Sequence, residues 1–345
     1  MAFKVINVSD FPGFSVEEGV KIIKDAGAEY VGTLCKNQQE VLAAASDADA
    51  IVGLFTIGML SFTGEMMAGL KKCKVVAVPG IGYDGIDLNA ATEHGICVVN
   101  NPDYCLEEMA DHTILLLLAL AKKLVITVDS VREGKWDNAG FHTIRNYVLP
   151  PVFRLSRQTL GLIGFGNIPR ALIPRAKPFF SRIIAHDPYV PAEVLQKFGV
   201  EPATMETLLK ESDFVSLHSA LTEKNHHMMG IDQFKLMKPT AYFVNTARGG
   251  LVDEEALHKA LSEGIIAGAG LDAMEPEPPA PDSPLINLPN IIITSHTGQY
   301  SVEADDELKA NPFADIKRVI EGNWPREIAF RNPAVKEKYL AKWRK

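Results

Sequence analysis

Short apolar runs alternate with longer amphipathic stretches along nearly the whole chain. Phe3 to Val8 reads as a buried strand, and Ala50 to Phe55, Val75 to Val78 and Ile96 to Val99 repeat that pattern with helical stretches between them. Ser15 and Glu18 stand at capping-box spacing and predict a helix that Gly27 can close. A continuous helix is predicted from about Glu107 to Glu133, stopped by Gly134. Its middle is apolar nearly all round, so it needs cover on most sides, from both domains or from a second subunit. After an irregular stretch, Trp136 to Phe153, a second strand and helix series runs from Thr159 to His296, and a last amphipathic helix spans about Val302 to Glu321. Such alternation predicts an α/β fold with parallel sheets.

A chain of 345 residues is too long for one core and suits two domains. Because the second series is complete by His296, the last helix is expected to cross back to the first domain. That predicts a discontinuous domain of residues 1–106 and 298–345 and a second of residues 107–297. The 47% hydrophobic content supports two cores, and the net charge of −8 gives no electrostatic footprint for nucleic acid or an anionic membrane. The apolar run Ile114 to Ala121 is too short to cross a bilayer, and the N-terminus has no signal-type pattern. Cys35, Cys73, Cys97 and Cys105 lack CxxC spacing and read as reduced, mostly buried thiols of a cytoplasmic protein.

Six apolar runs of the second series end on Gly164, Asp187, His218, Arg248, Asp272 and His296. In a parallel sheet the carboxyl ends of the strands share one crevice, so these distant positions are expected to converge. Gly161, Gly164 and Gly166 lie between a strand and a helix, where a dinucleotide pyrophosphate can rest on the helix N-terminus. Asp187 follows the next strand and can bond both ribose hydroxyls, which favours NAD as the cofactor. Pro169 replaces the third glycine, and Pro174 is expected to kink or shorten the helix. His218, His226 and His227 have no carboxylate or cysteine at ligand spacing, so no metal site is expected.

The segments Gly80–Asp87, Asn101–Tyr104, Glu108–Asp111, Val244–Glu254, Gly270–Asp272 and Pro289–His296 together resemble the NAD-dependent D-2-hydroxyacid dehydrogenases. The resemblance runs in order from about Val75 to Glu321. Leu217 and His218, Asn225 to His227, and Gly298 to Ser301 look most like the branch containing the C-terminal binding protein corepressors. It implies a Rossmann-type doubly wound domain plus a smaller flavodoxin-like α/β domain, assembled as a homodimer.

The chemistry implied is hydride transfer between NAD(H) and a 2-hydroxy acid or 2-oxo acid. Arg248 would fix the substrate and polarise its carbonyl, and His296 would be proton donor or acceptor. Glu277, five residues after Asp272, would bond the imidazole and raise its pKa. The peptide N–H groups of Gly80, Ile81 and Gly82 would hold the substrate carboxylate. Cofactor contacts are implied at Gly164, Gly166, Asn167, Ile168, Asp187, His218, Ala220, Asn225, Thr246, Ala247, Asp272 and Gly298. Many family members carry arginine and a small residue where Val78 and Pro79 stand, so a bulkier or more apolar acid is compatible. The alternative is an NAD-sensing dimeric scaffold resembling the corepressors.

Overall fold

A computed structural model describes residues 2–12, 15–55, 60–136 and 151–343. Most of the irregular stretch Trp136 to Phe153 lies outside them. The chain divides into two compact units, Met1–Cys105 with Ser301–Lys345, and Leu106–Tyr300.

In the first unit, β1 (Lys4–Asn7), β2 (Glu29–Gly32), β3 (Ala50–Val52), β4 (Val75–Ala77) and β5 (Cys97–Val99) form a parallel sheet in the order β2-β1-β3-β4-β5. This is the doubly wound flavodoxin-like order. Its central strands are buried on both faces, which is why they read as unbroken apolar runs. One layer packs on Phe55, Phe62 and Met67, the other on Ile23, Phe313 and Ile316. Phe313 and Ile316 belong to the helix Val302–Ile320, which packs in this unit and is capped by Ser301 accepting from the Ala304 N–H; it is not the last helix, since Lys336–Trp343 forms another that buries Tyr339 in the same core.

The first helix departs from expectation. It spans Glu17–Asp25 with Val16 at the N-cap, and no side chain caps it. Val16 is drawn into the core beside Ile23, which moves the start past Ser15 and dissolves the capping box. Gly27 closes the helix with φ +74.

In the second unit, β6 (Thr159–Ile163), β7 (Arg182–His186), β8 (Glu201–Pro202), β9 (Phe214–Leu217), β10 (Tyr242–Asn245), β11 (Gly268–Leu271) and β12 (Ile291–Ile293) make a parallel sheet in the order β12-β11-β10-β9-β6-β7-β8. The order reverses between β6 and β9, the topological switch point where such sheets bind ligands. β8 is a two-residue edge strand, exposed and ending in Pro202.

The predicted helix Glu107 to Glu133 is two helices, Leu106–Ala121 and Leu124–Arg132, parted at Lys123 with φ 57. Lys123 is 7% exposed and its ammonium donates to the Tyr242 hydroxyl, so burial of this side chain breaks a segment whose local sequence is helical. The helix Asn167–Ala176 keeps Pro174 in its last turns and ends after ten residues.

Gly19 packs directly beneath the helix Val302–Ile320. A Cβ there would lie 2.2 Å from Phe313 Cδ2 and 2.7 Å from the Lys309 carbonyl oxygen. Gly19→Ala is therefore expected to lower stability by about 1–3 kcal/mol, the range for overpacking, despite alanine's better helix propensity. An unchanged urea-unfolding midpoint would contradict this packing.

Candidate active site

The carboxyl ends of the second unit's strands carry the polar residues expected there. Gly164 follows β6 with φ +92, and a Cβ on it would stand 3.0 Å from the His218 carbonyl carbon, so both conformation and space call for glycine. Gly166 is the N-cap of the helix Asn167–Ala176, with no side-chain cap, and an added Cβ would meet nothing within 4 Å. That open, uncapped helix end suits a pyrophosphate on the N–H groups of Gly166, Asn167 and Ile168. Pro169 lacks an N–H and is accommodated in the first turn.

Asp187, half-buried after β7, accepts the Phe165 and Tyr189 N–H groups at 2.8 Å each. Two bonds leave lone pairs for ribose hydroxyls. The glycine turn, helix end and carboxylate thus fit a dinucleotide.

His218 follows β9, with Nε2 2.9 Å from Ser216 Oγ. Burial pushes its pKa down to about 4, so it is neutral near pH 7. Asn225 closes its own loop, donating to the Ala220 carbonyl and accepting from the Thr222 N–H and hydroxyl. Thr246 Oγ1 is buried 3.1 Å from Thr113 Oγ1, and the Ala247 N–H donates to Asn245 Oδ1. Arg248 Nη1 donates to the Ala247 carbonyl, and the Arg248 carbonyl accepts from Asn245.

Glu277 and His296 meet although 19 positions apart. Nδ1 of His296 lies 2.7 Å from Glu277 Oε2, and Glu277 Oε1 accepts the Met274 N–H at 2.9 Å. Burial raises the Glu277 pKa, but the bond and charge of His296, the Met274 N–H and Arg248 together draw it below the ordinary glutamate value. An ionised Glu277 can only accept, so Nδ1 carries the proton and Nε2 is the atom left for a substrate.

Asp272 is 2% exposed and organises the loop around His296. It accepts from the Thr294 hydroxyl at 2.6 Å, the Thr297 N–H at 3.1 Å and the Gly298 N–H at 3.0 Å. His112 Nε2 stands 3.4 Å from Asp272 and 3.0 Å from Thr294 Oγ1. Burial alone would raise the Asp272 pKa; these partners hold it below the usual value instead. His296, between the clamped residues, has φ 54. Gly298 is required by close packing, since a Cβ would lie 2.8 Å from Asp272 Oδ2 and 2.9 Å from His112 Cδ2. The sequence reading missed His112 and Thr294; the only local signal was His112 beside the Glu108–Asp111 motif.

In the first unit, the Gly80 N–H donates to the Val78 carbonyl, while among the described residues no acceptor is recorded for the N–H groups of Ile81 and Gly82. Val78 is fully buried in the core beneath this turn.

Glu223 stands three and four positions before His226 and His227, but the carboxylate that meets both rings is Glu275, brought there by the fold, while His218 pairs with Ser216. All four cysteines are buried, and burial pushes the Cys73 thiol up to about 12. No helix among the described residues is long and apolar enough to cross a membrane.

A doubly wound sheet, a glycine turn with an acid after the next strand, and an arginine, glutamate and histidine on later strand ends define a class of nucleotide-dependent dehydrogenase. Residues 114–298 match the NAD-binding domain of the D-isomer specific 2-hydroxyacid dehydrogenases. The chain belongs to this family, with its Rossmann-type fold and NAD as its cofactor class. It is 38% identical to the D-3-phosphoglycerate dehydrogenase of Methanocaldococcus jannaschii over 94% of this chain and 60% of that protein. It thus spans less than two thirds of the length of that relative. A glyoxylate reductase of Korarchaeum cryptofilum is 41% identical over 77% of this chain and 78% of the relative. The Aquifex aeolicus D-lactate dehydrogenase, solved with NAD and lactic acid, superposes with a TM-score of 0.80 at 27% identity, covering 93% and 96% of the two chains.

The buried neutral His218 makes a pH prediction. Its folded pKa lies below the ordinary 6.5, so as pH falls from 6.5 towards about 4 the unfolded state takes up a proton that the folded state refuses. Stability is expected to fall across that window, and His218→Gln should flatten the decline in melting temperature. Equal slopes for both proteins would show that His218 is not held neutral by burial.

Proposed function

We propose that the protein is an NAD-dependent oxidoreductase interconverting a 2-oxo acid and a D-2-hydroxy acid. The observation that carries this reading is the 2.7 Å contact between His296 Nδ1 and an ionised Glu277. When bound, NAD(H) supplies the hydride donor or acceptor at nicotinamide C4. During reduction, His296 Nε2 gives its proton to the substrate carbonyl oxygen, which becomes the hydroxyl; during oxidation the same atom takes that proton back. Glu277 stabilises the imidazolium and fixes the ring. Arg248 binds carboxylate and carbonyl oxygens through its planar fork. Asp272 positions the loop that holds His296.

The two curated relatives point to small 2-oxo acids such as glyoxylate, or to a phosphorylated three-carbon acid, as substrate class. Exposed Leu115, Leu124, Val125, Val128 and Val131 on the helices Leu106–Ala121 and Leu124–Arg132 support a homodimer, and four buried cysteines without CxxC spacing support a cytoplasmic protein. Nearness to the corepressor branch and the scaffold alternative gain no support from relatives named as a dehydrogenase and a reductase.

The deciding experiment is NADH oxidation with glyoxylate, hydroxypyruvate, pyruvate and aryl or branched 2-oxo acids, and NAD reduction with D-3-phosphoglycerate. Turnover with at least one is expected, and His296→Ala should lower kcat by roughly two or more orders of magnitude. NADH binding without any turnover would sink the enzyme reading. Separately, Asp187→Ala removes the acid that repels a 2′-phosphate and should shift kcat/KM towards NADP; an unaltered NAD to NADP ratio counts against its ribose role.

A further inference from the structure

We propose that His226, His227 and Glu275 form a binding site for a divalent transition-metal ion of the zinc class. Nε2 of His226 is 3.1 Å and Nε2 of His227 is 3.2 Å from the same Glu275 oxygen, Oε2. One ligand atom from each residue lies within 4.8 Å of the others. Tetrahedral zinc with bonds of about 2.0–2.1 Å needs donor atoms roughly 3.3 Å apart, so both nitrogen-to-oxygen separations already match. Two imidazoles with one carboxylate select a zinc-like ion over magnesium or calcium, which prefer all-oxygen shells.

The backbone builds this convergence. Adjacent residues of an extended chain point to opposite sides, but His227 adopts φ 55 and both rings come to one side, stacked with centroids 3.8 Å apart and planes 25° apart, from which rotation about their side-chain torsions turns both Nε2 atoms onto one ion. A left-handed conformation is uncommon at a non-glycine residue and signals a local requirement. The His227 N–H is tied to the Gly250 carbonyl, and the Glu275 N–H to Glu254 Oε1, both at 2.8 Å. Small residues beneath the cluster let these segments meet. A Cβ on Gly249 would fall 2.0 Å from the Met274 carbonyl carbon; one on Gly250 would lie 3.0 Å from Glu275 Oε1 and 3.3 Å from His226 Cδ2. The side chains are 37–47% exposed, so water can fill the remaining coordination position.

Glu275 stands two residues before Glu277, so a bound ion ties the loop that supports His296 to the segment holding His226 and His227. The site uses none of the residues assigned to the oxidoreductase reaction, and metal binding is measurable whether or not turnover is found.

The test is calorimetric titration of the EDTA-treated full chain with zinc chloride, alongside visible spectra with cobalt(II). One zinc ion per chain and a tetrahedral-type cobalt band are expected. His226→Ala, Glu275→Gln and His227→Asn, the last tolerant of a left-handed backbone, should each weaken binding at least tenfold, and His258→Ala should not. Retained melting temperatures in EDTA identify the variants that are folded. Absence of zinc binding to the wild type, or equal affinity in the folded cluster variants, overturns the proposal.

Discussion

A single buried carboxylate sets the geometry of the second unit's site. Asp272 sits at the end of β11 with almost no access to water, so its charge must be met by protein donors or it would take up a proton. Four partners meet it: a hydroxyl, two backbone N–H groups and an imidazole. Because two of them are consecutive peptide groups just after His296, satisfying Asp272 dictates the turn, and the turn dictates where the imidazole stands. The left-handed backbone at His296 and the missing side chain at Gly298 are both consequences of that demand.

Around this anchor the unit separates two electrostatic tasks. At the switch point between β6 and β9, the open helix end after Gly166 presents positive dipole suited to an anion, and Asp187 after β7 presents a carboxylate with lone pairs left for hydroxyl donors. On the other side of the strand ends, Glu277 is kept anionic against its own burial by His296, Met274 and Arg248. A histidine gripped at Nδ1 by such a carboxylate has one tautomer in its neutral form and a stabilised cation in its protonated form. Such a pair is chemically able to give or take a proton at Nε2.

What could be read from the chain followed from the range of the interactions involved. Strands buried on both faces announce themselves as apolar runs, and residues just past their ends inherit a shared location, which made Gly164, Asp187, Arg248, Asp272 and His296 legible together. Glu277 was reachable through its spacing from Asp272. His112 and Thr294 were not, because their meeting joins positions 182 apart and neither belongs to a short pattern. Glu275 was overlooked as a partner of His226 for the same reason, at a separation of 49. Two local signals were overruled by burial: Val16 displaced the cap offered by Ser15, and Lys123, reaching Tyr242 over 119 positions, broke a helix that its neighbours favour.

The edge strand β8 bears on how the sheet behaves towards other chains. An open row of backbone donors at a sheet margin is a template onto which a foreign strand can grow. Here the margin is two residues long, one of them a proline with no N–H to offer, and the other a glutamate already paired with Arg182. The polymerisable edge is thereby blunted on the β8 side, so the seven-stranded sheet resists extension there and the protein can be concentrated with less risk of strand-to-strand aggregation from that margin.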